Sequence, residues 1–246
     1  MSVKRMRVFA GPNGSGKTTI FKGILQEAKI NLGIYVNADE IEIELRKGKA
    51  IPFSDFNLNI QESKIQNFFR QSSFSPMKRN EPDLWEKVRI VNNDFICVTY
   101  VDSYLAADLA EFIRQQLLAN DISFTYETVM SHPGKIDFLQ DARKNGFRVY
   151  LYYIATEDPE INISRVNVRV ALDGHSVLPE VIRNRYFKSL ANLREAVKQT
   201  NRAYIFDNSQ NKAFLIAEIN NGTDVAMNDA IEVPYWVAEY LLNPVS

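Results

Sequence analysis

The sequence has few of the residues that build disulfides and metal centres. Cys97 is the only cysteine, so neither a disulfide framework nor a thiolate zinc site can form. The two histidines, His132 and His175, are too few and too weakly supported by neighbouring ligands to indicate zinc. An excess of charge is also missing, with 29 basic against 30 acidic residues and a formal net charge of −1. This balance argues against a nucleic-acid partner.

Long hydrophobic runs are absent as well. The residues after Met1 to Arg5 lack the apolar segment of a signal peptide, and no uncharged run is long enough to span a bilayer. We therefore expect a cytoplasmic protein without a membrane partner. Apolar residues still make up 46% of the 246 residues, which suits one packed α/β domain.

One motif organises the rest of the chain. It fits the phosphate-binding pattern G-x-x-x-x-G-K-[ST] at every fixed position. Its residues, with the threonine that follows, are Gly11, Pro12, Asn13, Gly14, Ser15, Gly16, Lys17, Thr18 and Thr19. The apolar stretch 3–10 predicts a strand before the loop, and the helical spacing of Ile20, Ile24 and Leu25 predicts a helix after it. Strand, loop and helix together are the context that this motif requires.

The residue types of the loop explain its chemistry. Glycines allow successive backbone N–H groups to curl around an anion, and the helix N-terminus adds partial positive charge. Lys17 can reach the outer phosphates, and the Thr18 hydroxyl can bind Mg²⁺. The sequence therefore predicts a site for the phosphates of a nucleotide and for Mg²⁺.

Strands alternate with helices along the chain, which predicts a three-layer α/β fold with a mostly parallel, five-stranded core sheet. The predicted strands are 3–10, 33–37, 122–126, 147–154 and 202–206. We interpret the whole chain, 1–246, as one domain with an insertion at about 51–102. Within the insertion, 87–91 and 95–101 are predicted strands around a turn at Asn92 and Asn93. A C-terminal strand and helix extend the domain over about 211–246.

Carboxylates follow three of the predicted strands, where ligands bind in open α/β sheets. Asp39 is our candidate for the base that deprotonates an acceptor hydroxyl, and a helix-capping aspartate is the alternative interpretation. Glu127 could bind acceptor hydroxyls, or Mg²⁺ through water, or could simply end a strand. Asp207 is the third carboxylate.

Four arginines are candidates for the charge that stabilises a transferring phosphoryl group. Arg165 and Arg169 are four residues apart and share one helix face, whereas Arg183 and Arg185 begin the next helix. A solvated helix face is the alternative for at least two of them. A motor ATPase would need an Asp-Glu pair after a strand, but Ser103 follows Asp102, so we do not expect one.

These motifs, taken in order, resemble the zeta toxin family of P-loop kinases. The resemblance covers roughly 3–50 and 103–210, and it is strongest in the stretches 11–19, 37–41, 124–128, 169–180, 182–193 and 207–209. It implies a nucleotide-kinase-like sheet that uses ATP and Mg²⁺. Characterised members phosphorylate a hydroxyl of UDP-N-acetylglucosamine and are often held inactive by an antitoxin. The family pattern has an arginine four residues after the glutamate, where this chain has Ser131.

The resemblance also implies roles for individual residues. Asp39 matches the catalytic base, Glu127 the substrate-binding glutamate, and Lys17 and Thr18 the phosphate and Mg²⁺ ligands. Catalysis is thus expected from Asp39, Lys17 and Arg169. Arg165 and Arg169 fall where the family supplies arginines to the phosphates.

We therefore expect an ATP-dependent kinase acting on a small acceptor, of which UDP-N-acetylglucosamine is the specific candidate. One alternative is a nucleotide-binding regulatory module without kinase activity. Another is a polynucleotide 5′-kinase, which predicts a basic groove near Asp39. The residues proposed for that groove are Lys64, Arg70, Lys78 and Arg79.

Overall fold

A computed structural model describes residues 3–28, 32–171 and 177–243. The chain forms two compact units, which are described one at a time. Unit 1 comprises the described residues up to Leu32 and from Thr125 onward, and unit 2 comprises Gly33–Phe124.

Outside unit 2, strands and helices alternate at first, and three consecutive helices and then three consecutive strands follow. In chain order the strands are β1 Arg5–Ala10, β2 Ile34–Val36, β3 Ile51–Pro52, β4 Val88–Val91, β5 Asp94–Cys97, β6 Phe124–Thr128, β7 Arg148–Ala155, β8 Arg202–Asp207, β9 Phe214–Asn220 and β10 Asp224–Met227. The helices are α1 Lys17–Ala28, α2 Ala38–Arg46, α3 Glu62–Gln71, α4 Ser75–Arg79, α5 Ser103–Ala119, α6 Gly134–Lys144, α7 Pro159–Val170, α8 Pro179–Ala191, α9 Leu193–Lys198 and α10 Tyr235–Val237.

Six strands of unit 1 lie side by side in the order β10-β9-β8-β7-β1-β6. Strands β1, β7 and β8 run parallel, and β9 and β10 are added antiparallel at the edge. A row of stacked rings crosses the centre, with Phe9 4.5 Å from Tyr152 and Tyr152 4.9 Å from Tyr204 between ring centroids. The edge of Phe21 on α1 packs against Phe9 at 5.1 Å, which fixes the first helix to the sheet. This packing positions the loop between β1 and α1.

Unit 2 has a small sheet of its own, in the order β3-β5-β4. Asn92 and Asn93, at φ 53° and 68°, both adopt the left-handed conformation that a tight two-residue hairpin needs. The predicted turn between two strands is therefore confirmed, although β5 ends at Cys97 and not at residue 101. Asn93 also donates to Leu58 O and accepts from Ile60 N, which ties the hairpin to the start of the insertion.

The fold class expected from the sequence is confirmed: this is an α/β fold with a mostly parallel central sheet and flanking helices. All five predicted core strands are present. The C-terminal extension contains β9 and β10, followed by α10 and a π-helical turn at Ala238–Leu242. None of the helices in the described residues combines the length and the hydropathy needed to cross a bilayer.

The C-terminal extension is attached to unit 1 through a buried side-chain pair. Trp236 is 2% exposed, and its Nε1 donates to Asp207 Oδ2 over 2.8 Å. The same carboxylate accepts from the backbone N and the hydroxyl of Ser209, at 3.0 and 2.9 Å. One carboxylate at the end of β8 thus holds both the loop that follows it and the last helix.

Replacing Trp236 with Phe should lower the free energy of unfolding by about 1–3 kcal/mol, because a buried carboxylate loses a donor. Urea denaturation measures this change. Trp85→Phe is the matched control, since the Trp85 ring lies only half-buried beside Arg70, 3.9 Å from its guanidinium. Equal losses in the two variants would contradict the anchoring role of Trp236.

Candidate phosphate-binding site

Three glycines give the loop between β1 and α1 its shape. Gly11, Gly14 and Gly16 have φ of 139°, 74° and 93°, which residues other than glycine rarely adopt. Space is also lacking: a Cβ would lie 1.9 Å from Ile154 O at Gly11, 2.5 Å from Asn162 O at Gly14 and 2.3 Å from Asn208 Nδ2 at Gly16. The loop needs glycine because of the residues packed behind it as well as for access by an anion.

The carbonyl groups of the loop are held by side-chain donors. Lys17 Nζ donates to Gly11 O and Pro12 O, each over 2.8 Å. Asn162 Nδ2 donates to Asn13 O over 2.6 Å, and Asn208 Nδ2 donates to Ser15 O over 2.8 Å. Gly11 N in turn donates to Thr128 O at the end of β6. The loop is therefore pinned at both ends and along its length.

The two asparagines are themselves fixed. Asn162, fully buried on α7, accepts through Oδ1 from the hydroxyl of Thr156. The backbone N of Asn208 donates to Ala155 O over 2.8 Å, and its carbonyl accepts from Arg165. Both donors therefore have defined positions relative to the loop.

Thr18 and Glu127 lie together. The Thr18 hydroxyl donates to Glu127 Oε2 over 2.9 Å, so the predicted metal ligand contacts a carboxylate near the C-terminal end of β6. Both are hard oxygen donors of the kind that Mg²⁺ takes, usually alongside waters and phosphates. Neighbouring oxygens around Mg²⁺ at about 2.05 Å are about 2.9 Å apart, so the pair fits one edge of its octahedron.

Asp39 lies in unit 2, in the first turn of α2, and is exposed. The cap of this helix is Asn37, whose side chain accepts from the backbone N of Asp39 over 2.9 Å. Asn37 is oriented by the Tyr35 hydroxyl, which accepts from its Nδ2 over 2.8 Å. The alternative interpretation of Asp39 as the helix cap is therefore wrong, because Asn37 caps the helix.

The four candidate arginines have different surroundings. Arg165 donates to Asn208 O over 2.7 Å and to Gln210 O over 3.1 Å. Arg183 forms a two-pronged ion pair with Glu160, at 2.6 and 3.1 Å. Arg169 lies exposed in the last turn of α7, and Arg185 is half-buried on α8. Arg183 is thus occupied in joining α8 to the start of α7.

The polynucleotide-kinase alternative requires a basic groove of four residues, and one of them, Arg79, cannot line such a groove. The side chain of Arg79 has no exposed surface, and it pairs with Glu81 at 2.6 Å and Asp102 at 2.7 Å. Tyr100 covers the guanidinium at 3.8 Å. Arg79 is therefore a structural residue of unit 2.

Several residues of the site carry no signal in the sequence. Asn162 lies inside a helix and gives no signal. Asn208 follows a strand, and this position is the only signal that it offers.

Thr19, predicted to contact phosphate, lies exposed on α1. His132 accepts from Gly134 N through Nδ1, whereas the predicted loop Asp173 to His175 lies outside the described residues.

A scan against protein families matches residues 98–219 to the model described as Zeta toxin. The matched range includes Glu127 and the four arginines, and the phosphate loop precedes it. Among curated proteins, an uncharacterized protein of Haemophilus influenzae is 35% identical over 65 residues, which is 26% of this chain and 46% of that protein.

Solved structures with the same fold include the native AvrRxo1-ORF1:-ORF2 complex, at TM-score 0.59 and 13% identity. The alignment covers 93% of this chain and 62% of that one. The AvrRxo1-ORF1:-ORF2 structure with ATP gives TM-score 0.58 and 14% identity, with coverage of 93% and 61%. The chain thus spans less than two thirds of these proteins, and at such identities the likeness concerns the fold alone.

Gly14→Ala should weaken ATP binding about 10-fold or more, because the left-handed φ and the clash with Asn162 O together cost about 1–3 kcal/mol in the loop. Titration with a fluorescent ATP analogue measures the dissociation constant.

Gly23→Ala is the matched control for this substitution. Gly23 lies in α1, where a Cβ would have no atom within 4 Å. The control should keep its affinity for ATP and gain about 0.5–1 kcal/mol of stability from helix propensity. Unchanged affinity in Gly14→Ala would show that the loop tolerates a side chain there.

Proposed function

We propose that this chain, whose residues 98–219 match the Zeta toxin family model, is an ATP- and Mg²⁺-dependent kinase. It transfers the γ-phosphate to a hydroxyl group of a small acceptor. The observation that carries this proposal is the pinned phosphate loop together with the Thr18–Glu127 hydrogen bond. These groups supply a phosphate cradle and a pair of metal ligands in one place.

The donor half of the reaction rests on unit 1. The loop N–H groups and Lys17 bind the phosphates of ATP, and Thr18 with Glu127 holds Mg²⁺. Bound there, Mg²⁺ supplies positive charge that offsets the negative charge of the phosphates. An AvrRxo1-ORF1:-ORF2 structure with the same fold was determined with ATP, which supports ATP as the nucleotide.

The acceptor half involves Asp39. As the acceptor oxygen forms its bond to the γ-phosphorus, the bond from that phosphorus to the bridging oxygen of ADP breaks, and the hydroxyl proton passes to the Asp39 carboxylate. Asp39 is free of any capping duty because Asn37 caps α2. Arg169, at the exposed end of α7, is proposed to offset charge on the transferring group.

UDP-N-acetylglucosamine is the acceptor that the family resemblance favours, with Glu127 close to its hydroxyls. The resemblance also favours an antitoxin as protein partner and the cytoplasm, where ATP is abundant, as the location. The AvrRxo1-ORF1 structures contain a second chain, ORF2, which is consistent with a protein partner for this fold.

Asp39→Asn should lower kcat about 10²- to 10⁴-fold and leave the affinity for ATP nearly unchanged, because an amide cannot accept the proton. A coupled ADP-release assay and an ATP titration measure the two quantities. Glu40→Gln, which removes the exposed carboxylate next to it in the same helical turn, serves as control and should retain activity. Full activity in Asp39→Asn would remove Asp39 from the role of base.

Incubation with labelled ATP and a panel of UDP-sugars should give a phosphorylated product from UDP-N-acetylglucosamine. Chromatography of the nucleotide sugars detects it, and Lys17→Met provides the inactive control. Product from another acceptor would overturn this substrate and leave the kinase standing. ATP binding without transfer to any acceptor in a metabolite extract would favour a regulatory module.

A further inference from the structure

We propose that Asn162 and Asn208 are positioning residues of the phosphate loop, and that Arg165 acts on the loop through Asn208 and not by binding phosphate. The two side-chain amides donate hydrogen bonds to carbonyl oxygens of the loop. The N–H groups of the loop peptides are then left to bind the anion. This inference rests on the proposed function, because its readout is nucleotide binding.

A loop that binds an anion through N–H groups must dispose of its carbonyl oxygens, since these repel the anion. In this loop the carbonyls of Gly11, Pro12, Asn13 and Ser15 each accept a hydrogen bond from a side chain. The carbonyl of Gly16 accepts from Ile20 N, as α1 begins. Hydrogen-bond donors therefore contact five of the six carbonyls from Gly11 to Gly16.

The asparagines differ from Lys17 in what they can do during the reaction. The Lys17 ammonium is the group that the motif assigns to phosphate, whereas an asparagine amide on a loop carbonyl can stay in place. A hydrogen bond to a peptide carbonyl also polarises that peptide and strengthens its N–H as a donor. Asn162 and Asn208 are thus the permanent supports of the loop.

The packing behind the loop shows how closely these supports fit. A Cβ at Gly16 would lie 2.3 Å from Asn208 Nδ2, and a Cβ at Gly14 would lie 2.5 Å from the backbone oxygen of Asn162. The second and third glycines of the motif are therefore matched to the two asparagines. The backbone of the loop lies against them with no room for a methyl group.

Arg165 holds the turn that carries Asn208. Two guanidinium nitrogens donate to the carbonyls of Asn208 and Gln210, at 2.7 and 3.1 Å. Asn208 N is bonded to Ala155 O, so the residue is fixed on both sides of its Cα. Arg165 therefore controls where the Asn208 amide points, and its effect on phosphate passes through that amide.

The test uses the full chain and compares Asn208→Ala, Asn162→Ala and Arg165→Ala. Asn228→Ala is the matched control, because Asn228 Nδ2 also donates to a backbone carbonyl, Leu215 O, at 2.9 Å and away from the loop. Dissociation constants are measured for ATP, ADP and tripolyphosphate, and kcat and KM are measured for ATP. Thermal unfolding of each variant reports its folding.

We expect Asn208→Ala and Asn162→Ala to weaken binding of all three probes about 10- to 100-fold, because a loop carbonyl that loses its donor is left unsatisfied beside the anion. At saturating ATP, kcat should change less than about threefold, because the supports act on binding. Asn228→Ala should leave all three dissociation constants unchanged. Asn208→Asp keeps the shape of the side chain but places a carboxylate against Ser15 O, and it should bind more weakly than Asn208→Ala.

The role of Arg165 is decided by a double-mutant cycle. Arg165→Ala should weaken ATP binding in the wild-type background and have little further effect in Asn208→Ala. In that background the Asn208 amide, through which Arg165 acts on the loop, is already missing. Additive losses, or a fall in kcat with unchanged binding of ADP, would instead show direct contact with the transferring phosphate. Unchanged affinity in both Asn208 variants would overturn the positioning role itself.

Failure of the proposed function gives a different pattern. Wild-type protein that binds ATP and tripolyphosphate but transfers no phosphate would contradict the kinase proposal. The positioning role would still be tested by the dissociation constants of the asparagine variants. Wild-type protein that binds none of the three probes would overturn both.

Discussion

An anion can sit among backbone N–H groups only where the carbonyl ends of the same peptides are satisfied elsewhere, and much of unit 1 is arranged to meet this constraint. The sheet brings the ends of β1, β6, β7 and β8 to one edge, and the residues that follow them meet at the loop. Thr128 at the end of β6, Thr156 after β7 and Asn208 after β8 each fix the loop directly or through one intermediate residue. The shape of this loop therefore depends on residues at the ends of four strands as well as on its own motif.

The part of this arrangement that could be predicted is the part with local rules. Glycine spacing, a strand before and a helix after the loop, and carboxylates at strand ends follow from backbone chemistry and from the direction of parallel strands. The hairpin at Asn92 and Asn93 is of the same kind, because its turn residues impose their own conformation. Such features need only a few neighbouring residues to be recognised.

The residues that escaped prediction act over long sequence separations. Asn162 contacts Asn13 across 149 positions and Asn208 contacts Ser15 across 193, and nothing in an isolated asparagine indicates its partner. The cap of α2 escaped for a local reason, because the sequence left the first residue of the helix uncertain and the cap is Asn37, two residues before Asp39. Arg165 and Arg169 share a helix face, yet only the turn at Asn208 shows what the first of them contacts.

The support of the loop extends to the far end of the chain. Asn208 is flanked by Asp207, which accepts from Trp236, and by Ser209, whose hydroxyl donates to Asp207 and accepts from Glu157 N. The turn that carries the Asn208 amide is thus held by Arg165 on one side and by the C-terminal extension on the other. Trp236 and Ser15 are thus connected through only two residues, Asp207 and Asn208. The C-terminal extension is therefore part of the hydrogen-bond network that fixes the carbonyls of the loop.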